Sequence, residues 1–122
     1  MAKRESVAFV RIRAEVIRLV GLVPSGRFTT YGSIASHMGV NPRHVAYILA
    51  RLDEEEAATL PWHRVVGAEG RVSPKMDEAL RAEQSGRLGQ EGMVIDPRGF
   101  ILDPDQHFHI VGHRREIRRD EK

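Results

Sequence analysis

The chain contains no cysteine and few aromatic residues among its 122 amino acids. Without thiols it cannot form a disulfide, a thiolate metal site or a cysteine nucleophile. No uninterrupted apolar run approaches the roughly 18 residues that span a bilayer, and charges interrupt the amino-terminal segment, so we expect neither a membrane span nor a signal peptide. Aromatic residues make up 6% of the chain, which predicts a mainly aliphatic core.

The composition is otherwise that of a globular domain, with 41% hydrophobic and 30% charged residues. We therefore expect residues 1–122 to form a single domain with a frayed tail from about residue 113. The charge is uneven, because residues 1–52 hold eight Lys or Arg against two Glu and four acidic residues follow at 53–56. The basic first half is a modest indication of nucleic-acid binding. The acidic run is typical of a solvated helix end rather than a metal site.

The spacing of apolar residues predicts three helices in the first half of the chain, over residues 6–20, 31–38 and 42–52. Thr30 is the predicted cap of the second helix, and Gly39 its predicted end. Asn41 and Pro42 are a cap and a first-turn residue for the third helix. Two short helices joined by a glycine-containing turn form a helix-turn-helix pattern.

The apolar stripe of the third predicted helix leaves Arg43, His44 and Tyr47 on the outward side. A cation, an ionisable ring and an aromatic ring on one face suit contacts with nucleic acid. The same three residues also suit an ordinary solvated helix face. Both interpretations stay open on this segment alone.

The second half of the chain combines short β-prone stretches with one weaker helix. Two stretches around a glycine-containing loop predict a hairpin of residues 60–66 with 72–73. A helix is predicted over 76–90, with four residues in register on its buried side: Met76, Ala79, Leu80 and Glu83. A final hairpin is predicted from 93–95 and 99–102. These elements predict a mainly α fold with small β elements.

Trp62 is the single tryptophan of the chain, and it stands between a proline and a histidine. This setting predicts a rigid loop rather than an apolar helix or strand. The indole then either fills part of the core or forms a binding surface.

The segment around this tryptophan resembles a known signature. Residues 61–66, Pro-Trp-His-Arg-Val-Val, resemble the Pro-Cys-His-Arg-Val active-site motif of the O6-alkylguanine-DNA alkyltransferases, with tryptophan in place of the cysteine. Residues 23–35 and 41–46 resemble the helix-turn-helix of the same family, and the likeness covers roughly 7–95. The tryptophan form is the mark of the alkyltransferase-like proteins. The resemblance implies a single winged-helix-like domain containing a helix-turn-helix, as in the C-terminal domain of the DNA alkyltransferases.

The resemblance also implies how the helix-turn-helix binds DNA. Its recognition helix would lie in the minor groove, where the small Ala46 permits close approach. Tyr31 would press on the phosphate of the target nucleotide and help to rotate it from the duplex, and Arg43 would fill the gap. The residues expected to contact DNA are Thr30, Tyr31, Arg43, Ala46 and Tyr47.

The substitution at Trp62 predicts binding without chemistry. Alkyl transfer needs a thiolate nucleophile, whereas an indole is only a hydrogen-bond donor. The expected lesion pocket, with Trp62 as its wall, comprises Tyr31, Pro61, Trp62, His63, Arg64, Val72, Ser73 and Lys75. Lys75 is expected near the base or against the indole as a cation–π partner. Glu91 resembles the family glutamate that holds the histidine, here His63.

We therefore expect a non-enzymatic, monomeric sensor of O6-alkylguanine in double-stranded DNA, without a cofactor, metal or membrane partner. The resemblance implies that it flags the lesion for the proteins of nucleotide excision repair. The expected location is the bacterial cytosol with the nucleoid, or the nucleus of a eukaryote. The alternatives are a winged-helix, sequence-specific transcription regulator and a residual enzyme with another nucleophile.

Three histidines near the carboxyl terminus are a second candidate cluster. His107, His109 and His113 have a spacing that zinc accepts if the backbone cooperates. No neighbouring carboxylate pattern supports a metal. The preferred interpretation is that Phe108 anchors the tail onto the body of the protein.

Overall fold

The computed structural model describes residues 7–112, so the predicted tail from about residue 113 lies outside the described residues. The helices are α1 Val7–Gly21, α2 Tyr31–Met38, α3 Pro42–Leu49, α4 Glu54–Thr59, α5 Glu78–Gln90 and α6 Pro104–His107. Two-residue strands, β1 Thr29–Thr30 and β2 Val65–Val66, form a small sheet, and 3₁₀ turns occupy Trp62–Arg64 and Ala68–Gly70. The predicted mainly α fold class is confirmed. Within 7–112 no helix is long and apolar enough to cross a membrane.

The helix-turn-helix forms as predicted. Thr30 caps α2 by accepting a hydrogen bond from the Ser33 N–H at 2.9 Å. Gly39 ends α2 in the left-handed region, with φ 73°, which costs glycine little. The Asn41 side chain caps α3 by accepting from the Arg43 N–H at 2.8 Å. α2 and α3 pack with α1 around a first core cluster: Val16, Leu19, Val20, Ile34, Ala35, Val45, Ile48 and Val65.

The predicted extension of the third helix to residue 52 is wrong, since α3 ends at Leu49. The acidic run that follows begins a separate helix, α4, which was not predicted. Asp53 and Glu56 form a capping box, in which the Asp53 carboxylate accepts from the Glu56 N–H at 2.7 Å and Glu56 accepts from the Asp53 N–H at 3.0 Å. Carboxylates in the first turn also suit the positive end of the helix dipole. Arg13 of α1 pairs with Glu56 at 2.7 Å and connects α4 to the bundle.

The predicted hairpin of 60–66 with 72–73 is also wrong in its main pairing. β2 pairs in parallel with β1, with Thr29 opposite Val65 and Thr30 opposite Val66. Gly67 and Arg71 keep only an isolated antiparallel bridge. The two valines of β2 are buried in different core clusters, so the strand is placed between the two halves of the fold. The final hairpin is confirmed by the antiparallel bridge of Ile95 and Ile101.

The second core cluster consists of Phe28, Val66, Val72, Leu88, Met93 and Ile101. Phe108 packs edge-on against Phe28 at 5.6 Å, which confirms its predicted role as an anchor. α5 starts at Glu78 after its cap Asp77, two residues later than predicted.

The predicted buried side of α5 is wrong. Ala79, Leu80 and Glu83 are exposed, and the buried side chains of the helix are Gln84 and Leu88. The orientation follows from a polar contact, because the Gln84 amide donates to the carbonyls of His63 at 3.0 Å and Val65 at 2.8 Å.

Candidate functional site

Trp62 begins a 3₁₀ turn that follows directly on Pro61 and leads into β2. The turn confirms the predicted rigid loop. The indole is half-buried and meets the ring of His63 edge-on, with centroids 6.4 Å apart. One flat aromatic surface is thus held at the edge of the second half of the fold.

The Glu91 carboxylate holds the turn in place through hydrogen bonds from His63 and Arg64. Glu91 accepts from His63 Nε2 at 2.9 Å, from the Arg64 guanidinium at 2.7 Å and from the Gly26 N–H at 3.0 Å. Burial alone raises the pKa of this carboxyl, but the hydrogen bonds from Arg64, Gly26 and His63 outweigh burial and lower the pKa to about 2. Glu91 is therefore ionised at neutral pH, and the predicted Glu91–His63 contact is present.

Arg64 extends the same network toward the start of β1. Its guanidinium donates to the Val23 carbonyl at 2.9 Å as well as to Glu91. The group is engaged by these acceptors, so it ties the turn to the loop before β1. That loop leads directly into Thr30 and Tyr31.

The second nitrogen of the histidine is left without a partner. His63 Nδ1 is buried and has no hydrogen-bond partner among residues 7–112. Nε2 is the donor in the contact with Glu91, since an ionised carboxylate only accepts. The neighbouring indole offers no nucleophile on which the histidine–glutamate pair could act.

The outward face of α3 is exposed as predicted. Arg43, His44, Ala46 and Tyr47 are all exposed, while Val45 and Ile48 face the core. The Tyr47 ring meets Phe9 edge-on at 6.3 Å. The Arg51 guanidinium lies 3.7 Å from the centre of the same ring, which holds the phenol against α3.

An open cavity of about 780 Å³ lies beside α2. Its lining includes Thr30, Tyr31 and Pro42, the residue before Arg43. Residues 108, 110 and 111 of the carboxyl-terminal segment also line it. Burial raises the pKa of the Tyr31 phenol, so this group is a neutral donor at neutral pH. Trp62 is not among the residues that line this cavity.

The remaining predicted pocket residues lie on the chain between β2 and α5. Val72 is buried in the second core cluster, and the Ser73 hydroxyl accepts from the Lys75 N–H at 3.3 Å. Lys75 is exposed. Within residues 7–112 the guanidinium over the indole is that of Arg87, 5.6 Å from the ring centre, and not the ammonium of Lys75. The sequence reasoning missed Arg87, although its spacing from Glu83 is that of a helical ion pair.

Among residues 7–112, no three or more His, Cys, Asp or Glu side chains are grouped so that they could hold a metal ion. His107 Nδ1 lies 3.2 Å from the Gly26 carbonyl, next to the loop that donates to Glu91. His113 lies outside the described residues.

Residues 11–93 match the family model of the 6-O-methylguanine DNA methyltransferase DNA-binding domain. The chain belongs to this family of DNA-binding domains, as the motifs predicted. Within the family it is similar to a DNA base-flipping protein of Escherichia coli K12, with 38% identity over 89 residues that cover 70% of this chain. The match spans 65% of that relative's length.

The chain is also similar to an alkyltransferase-like protein, in sequence and in structure. Alkyltransferase-like protein 1 of Schizosaccharomyces pombe is 35% identical over 75 residues, covering 60% of this chain and 68% of that protein. The crystal structure of S. pombe Atl1 in complex with damaged DNA containing O6-carboxymethylguanine superposes with a TM-score of 0.70 at 27% identity. That superposition covers 88% of this chain and 98% of the Atl1 chain.

Proposed function

We propose that the chain is a non-enzymatic sensor that binds O6-alkylguanine in duplex DNA and rotates the modified base out of the helix. The proposal rests on one observation: an indole stands where the family motif has its cysteine, above a histidine–glutamate pair that is still in place. The similarity to a base-flipping protein and to a protein crystallised with damaged DNA supports it.

The chemistry of Trp62 argues for binding without transfer. Displacing an alkyl group requires a nucleophile such as a thiolate, and the chain has no cysteine. A flat, half-buried indole instead suits stacking against an extruded base. Mass spectrometry of the protein after incubation with methylated DNA should therefore detect no transferred methyl group.

The exposed face of α3 and the start of α2 supply the groups that the docking model needs. Extruding a base costs a few kcal/mol of stacking and pairing. Arg43, exposed at the start of α3, would offset part of this cost by filling the vacated stack. Tyr31 would press on the backbone as a neutral phenol, and Ala46 would allow α3 to approach the minor groove.

The test is a titration of Trp62 fluorescence or duplex anisotropy with O6-methylguanine and unmodified duplexes over a salt series. We expect tighter binding of the modified duplex, and a steep decrease with salt because phosphate contacts release counterions. Trp62→Ala should lose about 5- to 150-fold for the modified duplex, since stacking on one aromatic side chain contributes about 1–3 kcal/mol per base. Trp62→Phe, which keeps a ring, is the matched control and should lose less.

Equal affinity for both duplexes across the salt series would contradict lesion sensing. Selection of particular unmodified sequences, unaffected by Trp62→Ala, would support the transcription regulator. A covalent alkyl adduct on the protein would support the residual enzyme.

The bound lesion would then be handed to nucleotide excision repair, in the bacterial cytosol or a eukaryotic nucleus, with the sensor acting as a monomer. Deleting the gene in a strain already deficient in excision repair should add no further sensitivity to alkylating agents. Additive sensitivity would contradict this handover and leave lesion binding itself in place.

A further inference from the structure

The packing of α5 fixes its position relative to the tryptophan turn. The Gln84 amide is buried and donates to the carbonyls of His63 and Val65. These two residues flank Arg64, the last residue of the turn. These two hydrogen bonds hold α5 against the turn and fix which side of the helix faces it. The residue one turn further along α5, Arg87, is thereby brought to the indole.

Arg87 is held over the indole by a second contact. Its guanidinium lies 5.6 Å from the centre of the Trp62 ring, within the range of a cation–π interaction. Glu83, one turn earlier on α5, pairs with the same guanidinium at 2.7 Å. The Arg87 guanidinium is therefore paired with Glu83 and lies over the Trp62 indole.

We propose that Arg87 is a specificity-determining residue of the lesion site, favouring O6 adducts that end in a carboxylate. This inference rests on the proposed function, because it takes Trp62 as the surface that receives the base. A guanidinium keeps donors free after pairing with one carboxylate oxygen, since it carries five N–H groups. An anionic adduct on a base stacked at Trp62 would accept from them, whereas a methyl adduct would not.

The position of Arg87 also decides how strong this preference is. The guanidinium is part of an exposed ion pair, with side-chain exposures of 38% for Arg87 and 43% for Glu83. Solvent and salt weaken charge pairing at such a site. We expect a preference of about fivefold to tenfold for the anionic adduct, which corresponds to about 1–1.4 kcal/mol.

The experiment measures dissociation constants of the full chain for three duplexes, containing guanine, O6-methylguanine or O6-carboxymethylguanine. The variants are Arg87→Gln, Arg87→Lys and the matched control Arg18→Gln, which removes the same charge from the exposed ion pair of Arg18 with Glu15 on α1. Arg87→Gln should lose about fivefold to tenfold more for the carboxymethyl duplex than for the methyl duplex. Arg87→Lys, which keeps the charge, should restore part of the preference, and Arg18→Gln should leave it unchanged.

The emission of Trp62 is a second readout, because it responds to a change in the immediate surroundings of the indole. The chain has one tryptophan, so the emission reports this indole alone. Arg87→Gln should shift the emission of the free protein, and Arg18→Gln should not. Circular dichroism and the melting temperature show whether each variant is folded.

The outcomes separate the two proposals. If the parent chain does not distinguish either modified duplex from guanine, the proposed function fails. If it binds both lesions tightly and Arg87→Gln weakens all three duplexes equally, Arg87 is a general phosphate contact and the inference is overturned. Unchanged binding in Arg87→Gln also overturns it while leaving lesion sensing intact.

Discussion

The two halves of this domain are held together by different forces. Around α1 to α3, apolar side chains fill the first core cluster, and the helix ends are capped by neighbours two or three residues away. Around Trp62, the Glu91 carboxylate joins residues that are 28 and 65 positions distant in the chain. We therefore expect the stability of the first half to depend less on charge and pH than that of the second half.

Replacing the central carboxylate should have the largest effect. Glu91→Ala leaves the Arg64 guanidinium and the Gly26 N–H without their acceptor in a largely buried place. We expect the free energy of unfolding to decrease by about 3–4 kcal/mol, as measured by urea denaturation. Glu55→Ala, which removes an exposed carboxylate of α4, is the control and should change it by less than about 0.5 kcal/mol. Similar losses in both variants would contradict the contrast between the halves.

Acid should also destabilise the second half, because protonation removes the charge of Glu91. The pKa of Glu91 is lowered to about 2 in the folded protein from 4.5, so its contribution is complete above the unfolded value and is lost as the pH falls toward 2. This pKa difference corresponds to at most about 3 kcal/mol of unfolding free energy. Urea denaturation between pH 6 and pH 2 measures it.

Glu91→Gln provides the control for the acid prediction. The variant should show a shallower pH dependence, with a residual slope from Glu15 and Glu56, whose pKa values are also lowered. An unchanged slope would show that Glu91 is not the group that titrates.

The outward face of α3 should affect binding and not stability. Arg43 is exposed at the start of the helix, so Arg43→Ala should leave the melting temperature unchanged. If Arg43 fills the vacated stack, the variant should weaken binding of an O6-methylguanine duplex by about tenfold, or about 1.4 kcal/mol. Arg18→Ala, on α1, removes the same charge from a surface ion pair and should weaken binding much less.

The smallest effect is expected at a local cap of the helix-turn-helix. Asn41→Ala removes the acceptor of the Arg43 N–H, and the loss of such a cap costs about 1 kcal/mol of unfolding free energy. Asn41→Asp, which keeps an acceptor, should be close to neutral. A loss as large as that of Glu91→Ala would mean that the first half also depends on single polar contacts.

The helix-turn-helix was predictable because its signals are local. Thr30, Gly39 and Asn41 each act within a few residues, so the ends of α2 and the start of α3 follow from short stretches of sequence. The capping box of α4 is equally local, since Asp53 and Glu56 are three residues apart, but an acidic run after an apolar stripe is also typical of a solvated helix end. The motifs predict which residues belong to the site, but they do not predict how these residues are arranged in space.

The sequence by itself determined the family motif, the helix-turn-helix and the absence of a thiol, since residue identity and short-range capping suffice for each. Only the tertiary structure decided that β2 pairs with β1, that α5 buries Gln84 and that Arg87 lies over Trp62. Each of these contacts joins segments far apart in the chain. Which distant segments pair depends on how well the pairing satisfies buried polar groups. This is decided only when the whole fold is assembled.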